Sequence, residues 1–134
     1  MMVQLSLAPS PTSVARALVL ACTHAMFDKV VYFPLALSDV PMKRGSATLY
    51  VVAVLSYVLL AHTITSAATG NWTTHAAYGA FVAVPVYVTF NACAMWFPAM
   101  GWTLSRGAVD TVVGLCACAA LGGLDRAVLR RWMS

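Results

Sequence analysis

Apolar residues run along this chain in long unbroken stretches, and from 45 to 105 no Asp, Glu, Lys or Arg interrupts them. A soluble fold keeps its charges spread over a wet surface and does not tolerate such a run. Two crossings of a hydrocarbon core fit inside it, at about 20 residues each. Apolar runs on either side raise the expected count to four. The predicted spans cover 14–37, 46–68, 74–97 and 104–124, and the last can continue amphipathically through 125–132. The pattern thus predicts an all-α integral membrane protein, four transmembrane helices in one up-down bundle. Barrel strands are excluded because the runs do not alternate.

The punctuation between spans fits this division. Residues 1–13 read as a flexible N-terminal lead, with Pro9 and Pro11 delaying the helix until Thr12 or Ser13 caps it, and 14–134 as the membrane domain. Val19-Leu20-Ala21-Cys22 has the look of a lipoprotein cleavage box. The apolar run after Arg16 is too short for a signal core, so no cleaved signal is expected. Asp39, Pro41, Lys43 and Arg44 mark a turn over 38–44, residues 69–73 form the second link, and Pro98, Gly101 and Trp102 the third. Trp72, Trp96, Trp102 and Trp132 fall at span ends, the depth that amphipathic rings prefer.

Composition narrows the class further. With 134 residues, 61% hydrophobic and 9% charged, the chain has no room for a soluble domain beside the bundle. The net charge of +4 sits largely in short clusters flanking apolar runs. That placement points to a lipid bilayer as partner and not to nucleic acid, which needs a broad basic surface. Four spans put Arg16, Arg126, Arg130 and Arg131 on one side and Lys43, Arg44 and Arg106 on the other, a difference favouring cytoplasmic termini. Asn71-Trp72-Thr73 matches a glycosylation acceptor but sits against the membrane on that side, and reads as chance. Cys22, Cys93, Cys116 and Cys118 lie within spans, where thiols act as small inert hydrophobes, so neither disulfide nor metal site is expected.

The few polar groups inside the spans carry the chemistry. An ionised carboxylate at the depth of Asp28 costs about 2.5–3.5 kcal/mol and must face the interior, pair or take a proton. His24, Asp28 and Tyr32 recur every fourth residue on one stripe, with His24 able to bond Asp28, while Lys29 points about 100° away. In the fourth span Asp110, Gly114, Cys118 and Gly122 form a second stripe, a seam of mostly small residues for close helix approach. The third span offers Gly79, Ala83, Tyr87 and Asn91, and the short link sets Asn91 and Asp110 at one depth. His24, Asp28, Asn91 and Asp110 are therefore the candidate intramembrane site, with Lys29 a further possible member. The arrangement suits cation binding or proton exchange. It equally suits a hydrogen-bonded network that fixes helix register, and Asp110, near its helix start, also suits an interfacial cap. His62 reads as an interior histidine and His75, beside Trp72, as interfacial.

The run Tyr87-Val88-Thr89-Phe90-Asn91 followed by Asp110-Thr111-Val112-Val113-Gly114 resembles a known pattern. It is similar to a domain-of-unknown-function family of small four-helix predicted membrane proteins, with bacterial and large-DNA-virus members. That family carries a Tyr-Asp-x-Thr-Asn-like run in its third helix, Asp-x-x-Trp-Gly in its fourth and an Asp in its first. Asp28, Tyr87, Asn91, Asp110 and Gly114 stand at matching positions, whereas Val88 replaces the usual acid and Val113 the usual Trp. The resemblance covers most of the chain and implies a fold and a membrane location, not an activity.

Two functions compete. One is a structural or interaction protein with a buried polar network, packed as a homo-oligomer through the seam at Gly114, Cys118 and Gly122. The other is a small proton-coupled transporter or ion pathway using Asp28 and Asp110. Small multidrug transporters share the size, span number and first-helix carboxylate, but their third-helix signature is missing. An enzyme is not expected: no Ser-His-Asp set, metal-ligand cluster or glycine-rich phosphate loop stands out, and no cofactor is implied. Thr111-Val112-Val113-Gly114 lacks the aromatic-glycine pair of a potassium filter.

Overall fold

Ser10 starts the first helix. Its hydroxyl accepts from the Ser13 N–H at 3.1 Å while the Ser13 hydroxyl accepts from the Ser10 N–H at 2.9 Å, a reciprocal capping box. Pro11 occupies the first helical position, where a missing N–H costs nothing. The start therefore precedes the expected one by three residues, because Pro11 opens the helix instead of delaying it. The computed structural model describes residues 9–36, 47–96 and 101–133, with side chains at 47–50 excepted. The turn expected over 38–44, most of the N-terminal lead and Pro98 lie outside the described residues.

Four helices make up the described chain: α1 (Pro11–Ala36), α2 (Ala47–Thr65), α3 (Trp72–Trp96) and α4 (Leu104–Trp132). Asn71 caps α3 by accepting from the Thr74 N–H, and Thr103 caps α4 by accepting from the Arg106 N–H. Within α1 the turn Asp28–Tyr32 widens to π geometry, and the Phe33 N–H reaches back to the Asp28 carbonyl. Pro34 lies just beyond it; its ring crowds the preceding turn and it offers no N–H, which is the local cause of the distortion. A second π turn, Asp125–Leu129, lies near the end of α4.

α1, α3 and α4 are long and apolar enough to cross a membrane, at 26, 25 and 29 residues. α2 is the shortest of the four among the described residues, at 19, and it stops at Thr65, not 68. Outward faces carry Val51, Val54, Leu59, Phe81 and Val112, all exposed, while the interior holds Leu20, Ile64, Ala83 and Cys118. A bundle apolar outside as well as inside fits a multi-pass membrane protein.

α1 packs mainly on α2, and α3 lies in backbone contact with α4. A Cβ built on Gly79 would sit 2.2 Å from the Cys118 carbonyl oxygen, and one on Gly122 2.2 Å from that of His75. The expected seam is thus filled by α3 of the same chain, not left for a second copy. Alanine at Gly79 or Gly122 is expected to lower detergent stability by about 1–3 kcal/mol, since backbone must move. Gly123→Ala, whose Cβ would meet nothing closer than 3.8 Å, should leave it unchanged. Equal thermal unfolding in all three variants would contradict the close approach.

An ionic clasp ties the two chain ends together. Asp125, 0% exposed, lies 3.2 Å from Arg16 Nε and accepts from Arg130 Nε at 2.9 Å. Arg130 also donates to the carbonyls of Thr65, Ala67 and Ala68, the groups a helix leaves unsatisfied where α2 stops. Arg126 Nε reaches the Gly70 carbonyl at 2.8 Å. These contacts set the start of α1, the α2–α3 link and the end of α4 at one end of the bundle. Arg16 and Arg130 are consequently turned inward onto an acid, unlike the free cationic flanks that their sequence positions suggested.

Candidate functional site

Helical spacing places His24, Asp28 and Tyr32 on the buried face of α1, and all three line a cavity of about 410 Å³. α2 contributes Tyr57, α3 contributes Tyr87 and α4 contributes Asp110 and Gly114 to the same space. Most of the remaining wall is apolar, including Leu60, Val86 and Phe90. Two carboxyl groups thus face one cavity from different helices, Asp28 at 8% exposure and Asp110 at 6%.

Each acid has a distinct setting. The Tyr57 hydroxyl donates to Asp28 Oδ2. The His24 ring stands edge-on to the Tyr57 ring, centroids 5.0 Å apart, and its Nε2 shares a 3.0 Å hydrogen bond with the Tyr87 hydroxyl. His24 Nε2 lies 3.8 Å from Asp28 Oδ2, so the histidine bonds the tyrosine and only approaches the acid it was expected to bond. Gly114 makes this possible: a Cβ there would sit 2.3 Å from carbons of the Tyr87 ring. The absent side chain lets Tyr87 lie flat on α4 and carry its hydroxyl to α1.

Asp110 is held from the other side. Asn91 Nδ2 donates to Asp110 Oδ2 at 2.9 Å and to the Tyr87 carbonyl at 2.9 Å. Trp102 Nε1 donates to Asn91 Oδ1 at 2.7 Å. Because an indole N–H can only donate, the Asn91 oxygen must face Trp102 and its amino group Asp110. The Tyr32 hydroxyl also approaches Asp110. Trp102, at the span end where its ring was expected, is partly buried against Asn91 and Phe90.

Of the residues singled out from sequence, His24, Asp28 and Asp110 line one cavity, and Asn91 bonds Asp110 at its edge. Cys118 and Gly122 lie further along α4, buried against α3. Lys29 is exposed on α1 and takes no part. His75, expected at the interface, is fully buried beneath α4. Tyr57 escaped notice because α2 is apolar all round and shows no preferred face. Its signal was a phenol at the middle of a span, a group that seeks a partner in hydrocarbon. Among the described residues no three His, Cys, Asp or Glu side chains gather as metal ligands. Comparison with protein-family models, curated proteins and solved structures gives no match.

Proposed function

We propose that this chain is a small multi-pass transporter that binds a lipophilic monovalent organic cation at Asp28 and Asp110 and exchanges it for protons. The observation that carries this reading is open volume: two carboxyl groups face about 410 Å³ of mostly apolar space. The polar groups do bond one another, Tyr57 to Asp28 and Asn91 to Asp110, and the open space lies beside those bonds, where a network serving only helix register needs none. The volume falls in the range of small-molecule sites. A hard inorganic cation needs about six oxygen ligands, whereas Leu60, Val86 and Phe90 suit an apolar body and Tyr57 and Tyr87 add aromatic rings to the same lining.

The register-fixing reading has its own support at Asn91. Its amide oxygen and nitrogen are both bonded, to Trp102, Tyr87 and Asp110. Asn91 is therefore assigned to positioning Asp110, and the two acids to the ligand. Uptake of tetraphenylphosphonium into proteoliposomes under an outward-directed proton gradient tests the proposal. Accumulation above protein-free vesicles supports it, and none at any gradient contradicts it.

The proposed orientation keeps both termini cytoplasmic. Tags at either end should show the same protease accessibility in sealed vesicles, since four crossings return the chain to its starting side. Opposite accessibility would mean that α2, the shortest helix, does not cross.

A further inference from the structure

A second pocket lies outside the carboxylate site, at the bundle end that holds the ionic clasp. It encloses about 320 Å³ between the start of α3 and the last turns of α4, bounded by Asn71, Trp72, Arg126, Ala127, Arg130 and Arg131. The three arginines differ in commitment. Arg130 is used by Asp125 and the carbonyls at the end of α2. Arg126 uses only Nε, on Gly70, and Arg131 makes no hydrogen bond or ion pair among the described residues. Among the described residues no acid lines the pocket, and the one carboxylate nearby, Asp125, is already paired twice. Arg16, Arg126, Arg130 and Arg131 against Asp125 leave four positive charges to one negative, a net +3. α3 begins at this pocket, so the positive end of its dipole adds to the same field.

Trp72 and Ala127 also line an apolar groove of about 500 Å³ that continues between α3 and α4 past Ala76, Ala120, Gly123 and Leu124. These mostly small side chains leave a shallow, open trough on the outer surface of the bundle. A cationic mouth joined to an apolar trough has the two-part shape of a phospholipid.

We infer that this combined surface seats an anionic glycerophospholipid, with its phosphate at Arg126 and Arg131 and an acyl chain in the groove below Trp72. Guanidinium groups suit phosphate because their fork of N–H donors matches two of its oxygens. A zwitterionic lipid offers the same phosphate, but its ammonium group meets the net positive field and gains less. Trp72, 60% exposed, lies where pocket and groove meet, the depth at which an indole ring packs against the glycerol region. A soluble phosphate would use the mouth and leave the groove empty, so the groove is what assigns the ligand to the lipid.

Native mass spectrometry of the full chain in detergent reads this directly, with dioleoyl phosphatidylglycerol, dioleoyl phosphatidylcholine and inorganic phosphate as probes. Phosphatidylglycerol should be retained at about tenfold lower concentration than phosphatidylcholine, the scale of one ammonium–guanidinium repulsion at the protein surface. Arg131→Gln, which breaks no contact within the fold, should remove that preference, whereas Lys29→Gln should keep it. Gly123→Leu, which fills the trough, should weaken retention of both lipids. Equal retention of the two lipids by the unmodified chain would overturn the proposal, as would a preference that survives Arg131→Gln and Arg126→Gln together. Retention unaffected by Gly123→Leu, or phosphatidylglycerol displaced as readily by inorganic phosphate as by further lipid, would reassign the pocket to a soluble anion.

Discussion

Asp125→Ala is expected to destabilise the folded chain in detergent by about 3–5 kcal/mol, the usual penalty for removing one partner of a buried ion pair. Arg16 and Arg130, with side chains only 13% and 15% exposed, would be left facing each other without the acid between them. The damage should spread beyond the charges, because Arg130 is held by Asp125 while it caps the carbonyls at the end of α2. Arg16→Met added to Asp125→Ala should recover part of the loss by removing one unpaired cation. Unfolding temperatures and denaturant midpoints of the three proteins measure this. A single Asp125→Ala variant within about 1 kcal/mol of the unmodified chain would show that the clasp contributes no more than a surface pair.

Asp28→Asn is expected to abolish cation uptake while leaving folding within about 1 kcal/mol, the net worth of one hydrogen bond. An amide oxygen at that position can still accept from Tyr57, so the α1–α2 contact survives. What disappears is the carboxyl group on which the proposed exchange depends. His24 and Tyr32 on α1, Tyr57 on α2, Tyr87 on α3 and Asp110 on α4 surround the site, and of these only Asp110 is another acid. Asp110→Asn should therefore impair uptake as well, and the double variant should do no worse than either variant that is already inactive. Uptake retained by Asp28→Asn would return Asp28 to the role of a helix-register contact.

How far these features were legible depends on whether they rest on local pattern or on tertiary pairing. Helix number and order followed from continuous apolar runs, which state a preference for hydrocarbon wherever they fold. The stripe His24, Asp28, Tyr32 and the seam Asp110, Gly114, Cys118, Gly122 were legible because helical periodicity alone decides which residues share a face. The adjacency of Asn91 and Asp110 followed from the short link between their helices. Helix ends were less accurate: Pro11 is equally a breaker or an opener, and only the reciprocal bonds of Ser10 and Ser13 decide between them. The clasp was not legible, since Arg16 and Asp125 lie at opposite ends of the chain and each reads as a membrane flank. One clue was present: Asp125 is the only acid in a run that also holds Arg126, Arg130 and Arg131. Tyr57 and the buried position of His75 depend on how α2 and α3 rotate about their axes, which helices apolar all round do not encode.

Proton release on ligand binding tests the two-acid cavity most directly. Tetraphenylphosphonium is titrated into the full chain in weakly buffered detergent while a pH indicator reads the bulk solution. Acidification should saturate together with cation binding, be reduced by Asp110→Asn and be absent in Asp28→Asn. Saturable binding without any proton release, or no binding between pH 5 and 9, would contradict it.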